Sequence, residues 1–303
     1  MHNRRRFVGI AASAASAAAA AFARPANPQA GAQPAMQLGL IVSAGNDPEA
    51  AIRKVHELGF PTCQVGVKSF APEMATRLRG ALDRFKIEAT SLVSGGPGPE
   101  IYDFYQGPLT IGLVPRASRE ARIAQVKKTS DFAKLCGVPA VQTHCGFISE
   151  NPNEAIYKET VEAIRTVAAH CKQNGQSFRC ETGQETPITL FRAIQDVGLD
   201  NVGVNFDAAN LILYGKANPV DALEVLGPLV QGVHAKDGLY PTDVKQLGRE
   251  VPIGQGKVNF PVFIKRLKEV GYRGPLTIER EISGPQQTED VRAAKAYLEK
   301  LVG

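Results

Sequence analysis

Four short apolar segments in the second half of the chain each end on a residue that can bind a cation or move a proton. They read Phe178-Arg-Cys-Glu181, Val204-Asn-Phe-Asp207, Val233-His234-Ala-Lys236-Asp237 and Leu276-Thr-Ile-Glu279-Arg-Glu281. The two-residue alternation of a strand puts Arg179 with Glu181, Asn205 with Asp207, His234 with Lys236, and Thr277 with Glu279 and Glu281 on one face. Cys180, Phe206 and Ile278 take the other face and suit packing against helices. Three carboxylates gathered without counter-charge would force one of them to neutralise. A divalent cation removes that penalty. Three hard oxygen donors and one imidazole suit Mn2+ first, with Mg2+, Co2+ and Zn2+ as alternatives. The competing reading gives each residue its own Lys or Arg partner at an unrelated strand end. Four such residues in register on successive strands weigh against it.

Such a cluster requires elements that deliver every strand end to one place. After Met36 the chain alternates between short apolar stretches and longer amphipathic ones. Strands are predicted at 38–42, 62–67, 87–92, 140–143, 177–181, 202–207, 230–236 and 276–279. Helices are predicted at 48–58, 72–85, 116–136, 154–174, 187–197, 219–226, 260–270 and 288–301. Several helices open on proline, which fits the first turn, and several close on glycine. Eight strand–helix units with short connections predict an α/β fold, a single-domain parallel (β/α)8 TIM barrel. A doubly wound sheet is the structural rival, but its phosphate-binding Gly-x-Gly-x-x-Gly is missing after the first strand, where Val42-Ser-Ala-Gly45-Asn stands. One long connection, 94–115, follows the third strand and carries Tyr102, Phe104 and Tyr105. It is expected either as a lid whose rings cover a sugar or as a surface loop packed on itself.

The N-terminus reads as an address. Asn3-Arg-Arg-Arg-Phe7 precedes an Ala/Ser-rich apolar run and a small-x-small cleavage site at Ala21-Phe22-Ala23. Residues 1–23 are therefore expected to be a twin-arginine export signal, 24–36 a flexible linker and 37–303 the barrel. The expected location is the periplasm; a membrane tether by an uncleaved leader is the alternative, and the apolar run is short for a span. The charge of the 303-residue chain, with 35 Lys+Arg against 30 Asp+Glu, is +5. Three of those charges are Arg4, Arg5 and Arg6, so the chain from Arg24 onward carries +5 − 3 = +2. That balance gives no case for nucleic-acid binding. Five cysteines, an odd count without zinc-ribbon spacing, are expected as buried thiols and not as a disulfide framework.

The stretches Glu181-Thr-Gly-Gln-Glu185, Asn205-Phe-Asp207-Ala-Ala-Asn210, His234-Ala-Lys236-Asp237-Gly238 and Leu276-Thr-Ile-Glu279 resemble the xylose-isomerase-like superfamily. The resemblance covers about residues 38–300. It implies a metal held by Glu181, Asp207, His234 and Glu279, with Glu281 as a rival for the last place. It also implies a metal-dependent sugar isomerase or epimerase in which Glu181 and Glu279 form an acid/base pair working through an enediolate. Two departures stand out. Typical ketose 3-epimerases have a histidine three residues after the strand-six aspartate, where this chain has Asn210; they also have an arginine after the strand-seven histidine, where Lys236 is the nearest internal cation. Free-ketose epimerisation is therefore less expected than generic enolisation or dehydration.

Substrate contacts are expected from His144, Glu185, Lys236, Asn210 and Tyr105. His144 closes strand four and either binds substrate hydroxyls with Gln142 or bonds to backbone. Gly254-Gln-Gly256 is a weak phosphate signal. The alternatives in function are a sugar dehydratase or lyase on the same metal site, and an exported sugar-binding barrel without turnover. A nucleic-acid-cleaving relative would need several histidines at the barrel mouth, yet His56 and His170 fall within predicted helices. Expected partners are a small sugar, the twin-arginine export machinery and, as an open option, a second copy of the chain.

Overall fold

Eight short segments that alternate between apolar and polar residues pair side by side in a computed structural model that describes residues 36–303. They are β1 (Leu38–Ser43), β2 (Thr62–Gly66), β3 (Glu88–Val93), β4 (Ala140–His144), β5 (Ser177–Glu181), β6 (Val202–Asp207), β7 (Val230–Ala235) and β8 (Leu276–Ile278). All pairings are parallel, each strand beside the next and β8 beside β1, so the sheet closes into a barrel. Closure leaves no unpaired edge and brings all eight C-terminal ends to one rim. The expected signal at 1–23, and all of the expected linker except Met36, lie outside the described residues.

The helices that cover the barrel are α1 (Pro48–Glu57), α2 (Pro72–Phe85), α3 (Gly107–Thr110), α4 (Arg116–Cys136), α5 (Ala155–Gln173), α6 (Pro187–Val197), α7 (Ala208–Leu213), α8 (Pro219–Leu226), α9 (Phe260–Glu269) and α10 (Pro285–Val302). Their apolar faces pack on the outward strand residues Cys63, Val65, Phe178, Cys180, Phe206 and Ile278, all essentially buried. All five cysteines are free and buried.

The predicted elements are found with small shifts in their ends. The last helix starts at Pro285 instead of Thr288, because proline takes the first turn after Gly284. The 94–115 connection contains the short α3, and α7 is an element the periodicity did not show. Helix α7 is too short to display a repeat, yet it follows Asp207 directly and uses that side chain as its N-cap. A short antiparallel pair, Asp237–Gly238 with Glu250–Val251, lies in the loop after β7.

The barrel interior is polar. Gln64, Ser91, Gln142, Asn205 and Thr277 point inward and are at most 1% exposed. Buried amides are tolerated only when they bond to one another. Here Ser91 donates to Gln142 Oε1 (2.7 Å), Gln142 Nε2 donates to Gln64 Oε1 (2.8 Å), and Gln64 Nε2 donates to Asn205 Oδ1 (3.2 Å). This chain of amides forms a layer directly beneath the rim.

Candidate metal centre

On that layer stands His234. Its Nε2–H donates to Gln64 Oε1 at 2.7 Å, which fixes the tautomer and leaves the Nδ1 lone pair facing the rim. Around Nδ1 converge Glu181 Oε1 at 3.2 Å, Glu279 Oε2 at 3.2 Å and Asp207 Oδ2 at 3.5 Å. The register explains the convergence: Asp207 pairs with His234, Thr277 pairs with His234 from the other side, and His144 pairs with Glu181. One donor atom from each of Glu181, Asp207, His234 and Glu279 lies within 4.8 Å of all the others.

The donors are held from behind. Asp207 Oδ1 accepts the Asn210 backbone N–H at 2.8 Å, so only Oδ2 is left for the centre. The Thr182 hydroxyl clamps the same residue, accepting from the Asp207 N–H (2.8 Å) and donating to the Asp207 carbonyl (2.9 Å). Glu279 is placed where its N–H donates to the Ala235 carbonyl, one step past the end of β8. Within the described residues, His234 Nδ1 and Asp207 Oδ2 are buried with no hydrogen-bond partner. Two orphaned acceptors facing two further carboxylates fit a divalent cation by chemistry as well as by position.

The electrostatics agree. Burial pushes Asp207 up to about 6. Burial acts the same way on Glu181 and Glu279, but His144 and His234 outweigh it at Glu181, and Lys236 and His234 do so at Glu279, so both are held below the ordinary range. Burial opposes a charge on His234, yet Glu279 and Glu181 drive its pKa well upward. Without a cation the cluster thus retains protons to relieve its own negative charge.

The expected substrate residues divide into those at the centre and those away from it. His144 Nε2 lies 3.7 Å from Glu181 Oε1, and its Nδ1 accepts from Gln184 Nε2 at 3.2 Å. Lys236 is 2% exposed and bridges Glu279 (3.2 Å), Glu281 (2.8 Å), Asp207 (3.7 Å) and the Asn210 side-chain oxygen (3.3 Å). Glu281 therefore pairs with Lys236 at the rim, its side chain 57% exposed, while Glu279 faces His234. Glu185 is 1% exposed, and neither carboxylate oxygen has a partner. Burial pushes it up to about 8, so it is a neutral acid in the wall and not an open contact.

Three expectations change. Tyr105 is 58% exposed beneath Lys245, and it is Tyr102 whose ring meets His144, edge-on at 6.1 Å. The Asp103 carboxylate takes the backbone N–H groups of Tyr105, Gln106 and Gly107, turning the chain between the two tyrosines. Gln142 belongs to the amide layer, fully buried, and not with His144 at the rim. The Gly254-Gln-Gly256 turn wraps a carboxylate of the chain itself: Asp237 Oδ2 accepts from the N–H groups of Gly254 and Gly256 (both 2.9 Å), and Oδ1 accepts from Val258 and Gly238. A Cβ at residue 256 would come within 2.1 Å of Asp237 Oδ1, so the glycine is needed for that approach. Sequence reasoning missed Gln64 and Thr182, whose partners lie 170 and 25 residues away.

The xylose isomerase-like TIM barrel family matches residues 52–301. The chain belongs to that family. An uncharacterized protein of Methanocaldococcus jannaschii is 31% identical over 258 residues, 82% of this chain and 84% of the relative. The crystal structure of a xylose isomerase domain protein from Planctomyces limnophilus is 36% identical, with a TM-score of 0.83, covering 88% of this chain and 98% of that one. A D-tagatose 3-epimerase-like protein shares the fold at 18% identity, with a TM-score of 0.69 over 88% of this chain and 97% of that one.

Proposed function

We propose that the protein is a divalent-metal-dependent isomerase or epimerase acting on a sugar or keto-sugar by proton abstraction through an enediolate. The observation that carries this reading is the convergence of Glu181, Asp207, His234 and Glu279 within 4.8 Å, with His234 Nδ1 and Asp207 Oδ2 buried and unpartnered. The epimerase-like protein that shares the fold supports a sugar as substrate. The four residues would hold the metal, Mn2+ being the best match to the donors. When bound, the metal supplies Lewis acidity that lowers the pKa of a C–H beside a carbonyl.

The remaining chemistry belongs to the chain. Glu181 and Glu279 come from β5 and β8, with β6 and β7 between them, and so reach the centre from different sides. One takes the proton as carboxylate and the other returns one as acid, a placement worth roughly 10²–10⁴-fold. His144 beside Glu181 and Lys236 beside Glu279 favour the ionised forms needed in a base. Tyr102, against His144, offers an apolar ring where the sugar's carbon face would lie. A dehydratase on the same metal site is the second reading, with the buried Lys236, which Glu279, Asp207 and Glu281 keep charged, donating a hydrogen bond to a departing hydroxyl. The leader at 1–23 supports export through the twin-arginine machinery to the periplasm.

The test is incubation with ketoses and keto-glycosides in D2O with Mn2+. Isomerisation or epimerisation leaves solvent deuterium on carbon in a product of unchanged composition, whereas dehydration gives a product lighter by one water. No deuterium in any sugar and no dehydration would refute both readings and leave a sugar-binding barrel.

A further inference from the structure

At the opposite end of the barrel from the carboxylates is a cavity of about 150 Å³ lined by Gln64, Glu88, Arg179, Gln231, Tyr272 and Thr277, among others. Arg179 sits two residues before Glu181 on β5 and points into this floor, as alternation requires. Its Nε is buried and has no hydrogen-bond partner, and no ion pair to it is found among the described residues. The Tyr272 phenol, which donates to the Pro275 carbonyl at 2.8 Å, lines the same cavity. A glycine makes room for the guanidinium: a Cβ on Gly232 would lie 3.2 Å from Arg179 Nη1 and 2.5 Å from Asn205 Oδ1.

Arg179 is half-buried, so water solvates part of a guanidinium that cannot shed its proton, and an anion entering the cavity would add charge-assisted hydrogen bonds to it. The described residues supply no counter-charge at contact distance; Glu88, on the rim of the cavity, is exposed and outside ion-pair range of Arg179. The space exceeds that of a single water, whose share is about 30 Å³. Further donors line it in the Gln231 amide and the Thr277 hydroxyl. A planar fork beside an amide and a hydroxyl matches the geometry of a tetrahedral oxyanion.

We infer that the floor of the barrel is a binding site for a small inorganic oxyanion of the sulfate or phosphate type, held by Arg179 with Gln231 and Thr277. The site lies below the metal centre, with the Gln64 side chain as the wall they share, and does not depend on the proposed activity. The anion completes the charge of the barrel floor, and Glu88 limits its affinity by repulsion from the rim.

Sulfate is the probe. Thermal unfolding of the full chain is followed as sulfate replaces chloride at constant ionic strength, because a ligand of the native state raises the midpoint by mass action. The midpoint is expected to climb with sulfate for the wild type along a saturable curve, and to show only the smaller, non-saturating salting-out rise for Arg179→Gln. For Glu88→Gln the climb is expected to half-saturate at roughly threefold lower sulfate, as removal of one nearby like charge implies. Should Arg179→Gln fail to fold, Thr277→Val is expected to weaken the same response. Crystals soaked in selenate are expected to show anomalous density against the Arg179 guanidinium. Equal responses to sulfate and chloride, a response unchanged in both Arg179→Gln and Thr277→Val, or selenate absent from the floor would overturn the inference.

Discussion

Replacing Glu185 by glutamine tests whether a carboxyl without a partner is kept neutral by the fold. Burial holds this acid at about 8, against an ordinary 4.5, and neither oxygen accepts a hydrogen bond from the described residues. A carboxyl whose folded pKa is raised binds its proton more tightly in the native state than in the unfolded one. Stability is then full below the unfolded pKa and falls as pH rises through the window from about 4.5 to about 8. The slope is about 1.4 kcal/mol per pH unit, so wild-type stability should fall by about 2.5 kcal/mol between pH 5 and pH 7 from this group alone. Glu185→Gln removes the titration while keeping the shape. Its own unpaired N–H groups subtract a constant about 1–3 kcal/mol, which does not depend on pH. The assay is urea unfolding of both proteins across that pH range, read as the difference between them. The variant should gain about 2.5 kcal/mol on the wild type from pH 5 to pH 7. A constant difference across the range would show that Glu185 is ionised and paired in the native state, and the reasoning would be wrong.

Gln64→Leu removes the acceptor of His234 Nε2–H, so Mn2+ affinity measured by competition with a chelating dye should fall about 10–100-fold with the far-ultraviolet spectrum retained. Mn2+ added to metal-free protein should raise its stability by about 2.7 kcal/mol at a hundredfold excess over Kd, seen as a higher unfolding midpoint, and Glu181→Gln should lose most of that gain. Asp237→Ala leaves the N–H groups of Gly254, Gly256 and Val258 without their carboxylate; limited proteolysis should then cut near residues 252–258 before the rest of the chain, with stability lower by about 2–3 kcal/mol.

The strand ends were legible because alternation and position are local. Glu181, Asp207, His234 and Glu279 each close an apolar run, and a closed parallel barrel has only one rim to receive them. The choice of Glu279 over Glu281 depended on which carboxylate reaches His234: Glu279 lies 3.2 Å from Nδ1, whereas Glu281 pairs with Lys236 at 2.8 Å and stays exposed. The amide layer under His234 was not legible. Gln64, Ser91 and Gln142 come from separate strands, and nothing within a strand distinguishes an inward glutamine that bonds its neighbours from one that meets substrate. Loop direction was equally hidden: Tyr102 and Tyr105 differ in role because Asp103 caps the turn between them. Helix α7 carried a signal that period-counting passes over, an aspartate followed at once by Ala-Ala-Asn-Leu.

The account rests on one cation at one place, and metal stoichiometry by equilibrium dialysis tests it most directly. Metal-free protein dialysed against Mn2+ should bind one ion per chain at low concentration. His234→Ala and Asp207→Asn should each abolish that tight binding while remaining folded. Tight binding that survives both substitutions, or wild-type protein that binds no Mn2+, Mg2+, Co2+ or Zn2+ above background, would contradict it.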